Sequence, residues 1–157
     1  MSVGDDWVEV MSLLARYAHL IDDGRRPELD TVFTPDARID MFGEWVEGLA
    51  AFVAKLGTAA PANGRHHLNA NFEIHFDGDE AEAVSDWFLV GPAEEAGWNI
   101  RLKGRYQDRL RRTADGWRIV ERRMSRAERR GTLESVPRLS TNNGRMPTQD
   151  SRTGGRE

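Results

Sequence analysis

Asp22, His66 and His67 are the residues whose types and positions suggest proton-transfer chemistry. Asp22 closes a stretch with apolar residues at helical spacing, and it sits on the apolar side. Ile21 is adjacent, and Ala18, Leu14 and Met11 lie about one, two and three turns earlier. Asp23 instead stacks over His19, Arg16 and Ser12, the polar face. A carboxylate turned toward a core is costly unless it is paired, hydrogen-bonded or neutral. That cost marks Asp22 as a candidate site residue; the plainer alternative is a helix-end cap or a contact to a backbone amide. His66 and His67 enter an alternating segment and must point to opposite faces. Strict alternation groups His66 with Leu68, Phe72, Ile74 and Phe76, and His67 with Asn69, Asn71 and Glu73. Periodicity therefore favours His66 at the apolar surface, and a single bulge reverses the assignment.

The four histidines form no HExxH motif and no helical pair at a spacing of four. His67 and Asp22 alone are two ligands without a motif, so no metal site is expected. With no cysteine in the chain, disulfides, thiolate catalysis and Cys-based metal sites are excluded.

The elements that must position these residues come in two blocks. A helix is predicted over 5–23, with Gly24 as its stop. A short second helix begins at Pro27 and ends at Thr34-Pro35-Asp36; two short strands follow over 37–42 and 45–46, then a third helix over 49–56 and a loop over 59–64. The period then becomes alternating. Strands are predicted over 66–76, 81–90, 98–112 and 117–126, joined by turns such as Asp77-Gly78-Asp79 and Ala114-Asp115-Gly116. Helices first and an antiparallel meander after them make an α+β layout, with helices on one face of a curved sheet.

At 157 residues the chain suits a single domain, expected over 1–130. Beyond Gly131 the composition turns to Gly, Ser, Thr, Asn, Arg and Pro, and 131–157 reads as a tail that is disordered or packed on a partner subunit. The net charge of −4 gives no reason to expect nucleic acid or an anionic membrane as partner. The basic run Arg122, Arg123, Arg126, Arg129 and Arg130 has no interleaved aromatics. No apolar run suffices to span a membrane and the N-terminus lacks signal-peptide character, so a cytoplasmic location is expected.

The order Tyr17-x4-Asp22, Phe33-x2-Asp36-Ala37, Gly48, His67-x3-Asn71, Gly78-Asp79-x-Ala81, Gly104-Arg105-Tyr106-x-Asp108 and Asp115-Gly116-Trp117-Arg118-Ile119 resembles the SnoaL-like family. That family belongs to the nuclear-transport-factor-like superfamily, with scytalone dehydratase, ketosteroid isomerase and the β subunits of aromatic-ring dioxygenases. The resemblance covers roughly residues 5–127 and is specific for a fold, not a reaction.

It implies a cone-shaped α+β barrel, three N-terminal helices on a curved, mostly antiparallel sheet, with an apolar pocket between. In the dehydratase and dehydrochlorinase members an Asp ending the first helix orients a His on the sheet, and Asp22 and His67 hold those positions. A carboxylate on one imidazole nitrogen fixes the tautomer and leaves the other free to take a proton. Arg122 matches a basic pocket residue of the dehydrochlorinase-like members; an exposed strand arginine is the alternative. Tyr17 matches the oxyanion-hole tyrosine of ketosteroid isomerase, but the base of that enzyme falls here on Met41, so that design is incomplete. Met41, Trp45 and Phe88 join the candidate substrate contacts, and five tryptophans suit a flat apolar ligand. The expectation is a cofactor-independent lyase or isomerase, a dehydratase or cyclase, acting on a small hydrophobic molecule through Asp22 and His67. The rival expectations are a dioxygenase β-subunit-like scaffold and a small-molecule binding protein. A homodimer or homotrimer is expected in each case, because an open sheet face must be covered.

Overall fold

The computed structural model describes residues 3–57 and 64–127. The expected tail over 131–157 and most of the expected loop over 59–64 lie outside the described residues. Helix α1 spans Val3–Asp22, and a six-residue 3-10 helix follows at Arg26–Thr31. Strands β1 (Phe33–Met41) and β2 (Glu44–Glu47) form a hairpin, and α2 spans Leu49–Leu56. Four long strands complete the chain: β3 (His66–Asp77), β4 (Glu80–Pro92), β5 (Trp98–Thr113) and β6 (Gly116–Arg126).

The six strands make one sheet in the order β2-β1-β6-β5-β4-β3. All neighbours are antiparallel except β1 and β6, which run parallel. The helices lie against one face: α1 over β3 and β6, α2 over β1. The α+β layout expected from the sequence is present, with two corrections. The second helix is one 3-10 segment, because Pro27 starts it and only Leu29 is buried, too little apolar surface to continue it. Thr34-Pro35-Asp36 does not end an element but lies within β1. Pro35 is accommodated where the pairing of β1 with β6 shifts, between Phe33 and Arg38, so the missing N–H breaks no regular ladder.

Alternation along the strands sorts the side chains. Ala81, Ala83, Ser85 and Trp87 of β4 and Tyr106, Asp108 and Leu110 of β5 point to the helices and are buried. Residues between them face outward. Val10, Leu14 and Tyr17 of α1 meet Phe33, Phe52, Trp117 and Ile119 in the core between the layers. Gly104 allows a close approach. A Cβ at this position would lie 1.9 Å from the Ser125 carbonyl oxygen and 2.6 Å from the Trp87 ring. Trp87 thus lies across β5, stacks on Tyr106 at 5.7 Å and donates its indole N–H to Ser125 O at 3.2 Å. Gly104→Ala should lower the unfolding free energy by about 1–3 kcal/mol, as overpacking does, read by urea denaturation; an unchanged midpoint would show that the sheet absorbs the methyl freely.

Among the described residues no helix is long and apolar enough to cross a membrane.

Candidate active site

Helix α1 ends on Asp22, and the turn after it is closed by backbone bonds from Asp23 N to His19 O and from Arg25 N to Leu20 O. The Asp22 carboxylate therefore projects toward the start of β3 with only 10% of its side chain exposed. Both of its oxygens are engaged by one residue. Oδ2 accepts the backbone N–H of His67 at 2.8 Å, and Oδ1 lies 2.5 Å from His67 Nδ1. An ionised carboxylate only accepts hydrogen bonds, which assigns Nδ1 as the donor, and in the neutral form of such an imidazole Nε2 holds the lone pair. The backbone bond fixes the distance between helix and strand, and the ring bond fixes the rotamer.

The imidazole of His67 is 21% exposed. Nε2 has no hydrogen-bond partner among the described residues. Across the sheet His67 pairs with Leu89 and Leu89 with Leu102, so a row of half-buried apolar side chains runs from His67 along the helix-facing side. Ile21 adds apolar surface beside Asp22, and Met41 on β1 is likewise half-buried against the core.

The choice between the two histidines is settled by a bulge. Ala70 pairs with Asp86 and Glu73 with Val84, so Asn71 and Phe72 together oppose Ser85. The extra residue shifts the alternation, and His67 joins Phe72, Ile74 and Phe76 on the helix-facing side. His66 faces the other way, 59% exposed, with Nδ1 3.8 Å from Asp22 Oδ2 and its ring 6.0 Å from that of Trp98. The position favoured by strict alternation is thus corrected.

A second bulge places Arg122. Leu110 pairs with Ile119 and Arg109 with Glu121, leaving Val120 as the extra residue. In a regular strand with Val120 in the ladder, Arg122 would point outward with Arg118. Instead it is fully buried, and the exposed strand arginine considered as an alternative is not what forms. Its Nε and Nη2 donate to Asp108 Oδ1 and Oδ2 at 2.7 and 2.8 Å. Its guanidinium carbon lies 4.2 Å from the ring centres of both Tyr17 and Tyr106. Burial pushes the Tyr17 hydroxyl above the ordinary tyrosine range despite the nearby Arg122 charge, and Tyr106 further still. Both phenols are therefore neutral donors at neutral pH.

The candidate substrate contacts divide accordingly. Met41 lies on the helix-facing side with Asp22 and His67. Tyr17 and Arg122 lie beneath, in the core, where their side chains offer almost no accessible surface to a ligand. Trp45 and Phe88 are on the opposite face. Trp45 stacks with Arg38 and Arg123 at 4.6 and 5.3 Å, and Phe88 pairs with Leu68 and Lys103, one residue out of phase with Trp87 and Leu89. Spacing alone grouped aromatics that the pleat separates. Leu89, the cross-strand partner of His67, and Leu102 beyond it were not singled out, although alternation from His67 through the pairing partners identifies them.

Outside the helix-facing side, a groove of about 440 Å³ crosses the opposite face, lined by charged residues including Arg38, Glu82, Arg109, Arg111 and Glu121. Its β3 and β4 residues, His75 to Asp77 and Glu80 to Glu82, lie at the opposite end of those strands from His67. Among the described residues no cluster of three or more His, Asp or Glu side chains could hold a metal ion.

Known proteins share the sequence pattern and the fold of this chain. An uncharacterized protein of Mycobacterium tuberculosis (strain ATCC 25618 / H37Rv) is 33% identical over 126 residues, 74% of this chain and 82% of that protein. An NTF2-like protein with a cystatin-like fold from Novosphingobium aromaticivorans superposes with a TM-score of 0.72 at 24% identity, covering 81% of this chain and 85% of that one. A second Novosphingobium aromaticivorans structure, named for scytalone dehydratase, gives a TM-score of 0.67 at 21% identity, covering 78% and 84%. The family model described as a SnoaL-like domain matches residues 5–123, from the first turns of α1 into β6, and this chain therefore belongs to the SnoaL-like family.

Proposed function

We propose that the protein is a cofactor-independent lyase or isomerase in which His67 is the general base and Asp22 its orienting carboxylate. The observation that carries this reading is the two-point hold of Asp22 on His67, through ring and backbone of the same residue. It presets the tautomer that a base requires and turns Nε2 away from its partner. Half-buried apolar side chains on the same side of the sheet, Leu89 opposite His67, Leu102 one strand further on, Ile21 beside Asp22 and Met41 on β1, suit a small hydrophobic substrate with a C–H acidified by a neighbouring carbonyl.

In the proposed step Nε2 takes that proton and the C–H electron pair passes into an enolate. The imidazolium so formed lies between substrate and Asp22, whose charge stabilises it. The proton then returns to a different carbon, which isomerises the substrate, or to a departing hydroxyl, which eliminates water. Both outcomes start from the same exchangeable C–H. The test is deuterium incorporation, followed by proton NMR, from D2O into a panel of aromatic and alicyclic ketones. Exchange that requires the folded protein supports the reading. Saturable binding without exchange across the panel overturns it in favour of a binding protein.

The protein is further proposed to self-associate through the outward sheet face near the start of β5. Trp98 and Ile100 are 60% and 62% exposed there, and Leu68, two strands away on the same face, is 52% exposed. An exposed apolar group of this kind marks an association surface, and the covering molecule is a second copy of the chain. The variant Trp98→Lys with Ile100→Glu should sediment as a monomer while the parent sediments as a dimer or trimer; a monomeric parent would refute self-association.

A further inference from the structure

The bulge that turns His67 inward is held from the opposite face of the sheet. Asn71 has φ +54°, one of two non-glycine residues at positive φ among those described. Asparagine tolerates this left-handed conformation better than other branched or bulky residues. Its side chain does not hang free. Nδ2 donates to Asp86 Oδ2 at 2.8 Å, and Arg105 Nε donates to Asp86 Oδ1 at 2.8 Å. The three residues come from three adjacent strands: Asp86 pairs with Ala70 on one side and Arg105 on the other. Both carboxylate oxygens are used, one to hold the bulge and one to tie it to β5.

We propose that Asn71, clamped by Asp86 and Arg105, is a positioning residue that sets which histidine of the pair reaches Asp22. The proposal rests on the dyad described above but concerns its assembly, not its turnover. The logic is the parity of the strand. Phe72, Ile74 and Phe76 are fixed in the core, so everything before Phe72 takes its face from the number of residues in the bulge. With Asn71 in the bulge, His67 faces Asp22. If the strand is straightened with no residue removed, every position from 66 to 70 changes face, and His66 replaces His67 on the helix side. If Asn71 is deleted, Phe72 alone opposes Ser85, Ala70 still opposes Asp86, and His67 keeps its face without any clamp.

This gives two variants with opposite expected results. Asn71→Val removes the donor and places a β-branched side chain, which disfavours positive φ and favours strands, at the bulge. Deletion of Asn71 removes the bulge and preserves the parity. The readout is proton–nitrogen NMR of the histidine rings with nuclear Overhauser contacts to Ile21. In the parent, His67 should show a slowly exchanging Nδ1–H and a ring contact to Ile21. Asn71→Val should lose both from His67, with at least a tenfold faster exchange of that proton. The deletion variant should retain both. A merely structural role for Asn71 predicts the reverse order, because deletion is the larger disturbance.

If His67 keeps its Nδ1–H in Asn71→Val, or loses it in a folded deletion variant, the proposal is overturned. If the substitution variant does not fold, Asp86→Ala serves in its place with the same expected loss and the same overturning result. Absence of deuterium exchange into substrates alongside this NMR pattern would sink the catalytic reading and leave the positioning role standing.

Discussion

His67→Gln should slow deuterium exchange into a substrate by about 10²–10⁴-fold, the range that a positioned general base supplies. Glutamine approximates the reach of the ring and keeps the backbone N–H that Asp22 accepts at 2.8 Å, so the helix–strand junction survives. The cooperative melt should shift little. Asp22→Asn should cost a similar factor by a different route. The asparagine carboxamide can present an N–H to Nδ1, which moves the imidazole proton to Nε2 and leaves no lone pair facing the substrate. Because the two side chains act as one unit, the double variant should be no slower than the worse single variant. His66→Gln is the matched control. His66 lies on the opposite face with its ring 3.8 Å from the carboxylate, so its loss should leave the rate within about threefold, well under the ~10²-fold minimum for a base. Retained exchange in both Asp22→Asn and His67→Gln, or equal losses at His66 and His67, would remove the dyad from the mechanism. These are rate effects in proteins that remain folded, so each variant's melting curve is part of the measurement.

The sequence carried the partnership of Asp22 and His67 only through resemblance, and the reason is physical. Helical spacing placed Asp22 on the apolar side of α1, and the structure agrees. It could not place His67, because alternation counts residues and a bulge adds one. The signal was present in a weak form, since Asn71 is one of the few residue types that accept positive φ, but asparagine also sits in straight strands and in ordinary turns. The burial of Arg122 was hidden for the same reason at Val120. It also depends on Asp108, fourteen residues away in sequence and opposite Arg122 only once β5 and β6 pair. Trp45 and Phe88 erred in the other direction. Composition marked them as aromatic, but their faces follow from register, and register is a property of the whole sheet. Elements bounded by local chemistry were legible: α1 by its period and Gly24, α2 by its apolar run and Gly57, the β5–β6 turn by Asp115-Gly116. The parallel pairing of β1 with β6 was not, because no local pattern announces a partner more than eighty residues away.

Asp108→Asn should produce the largest loss of stability in the chain, about 3–5 kcal/mol, because it leaves the Arg122 charge buried without its counter-charge. Arg122 has no alternative. Its side chain is fully buried, its Nη1 has no hydrogen-bond partner, and the aromatic rings of Tyr17 and Tyr106 that flank it offer only partial compensation through their faces. Against a typical total of about 5–15 kcal/mol, such a loss takes a large share of the folding free energy. The pair itself need not be stabilising, since removing two charges from water is expensive. Asp108→Leu combined with Arg122→Met should therefore recover most of what Asp108→Asn loses, a strongly non-additive result in urea denaturation. A single variant within 1 kcal/mol of the parent would show that the Asp108 charge is not needed; a double variant as unstable as the sum of its singles would show that packing, not charge, sets the cost. The consequence reaches the proposed site at Asp22 and His67 through α1. Tyr17 lies on Arg122 one and a half turns before Asp22, so the buried ion pair anchors the end of the helix from which the carboxylate projects. A recovered double variant that still binds His67 through Asp22 would show that the anchor works by filling space. One that folds but loses the His67 Nδ1–H would show that the cation–π contact to Tyr17 sets the helix end, and with it the geometry of the base.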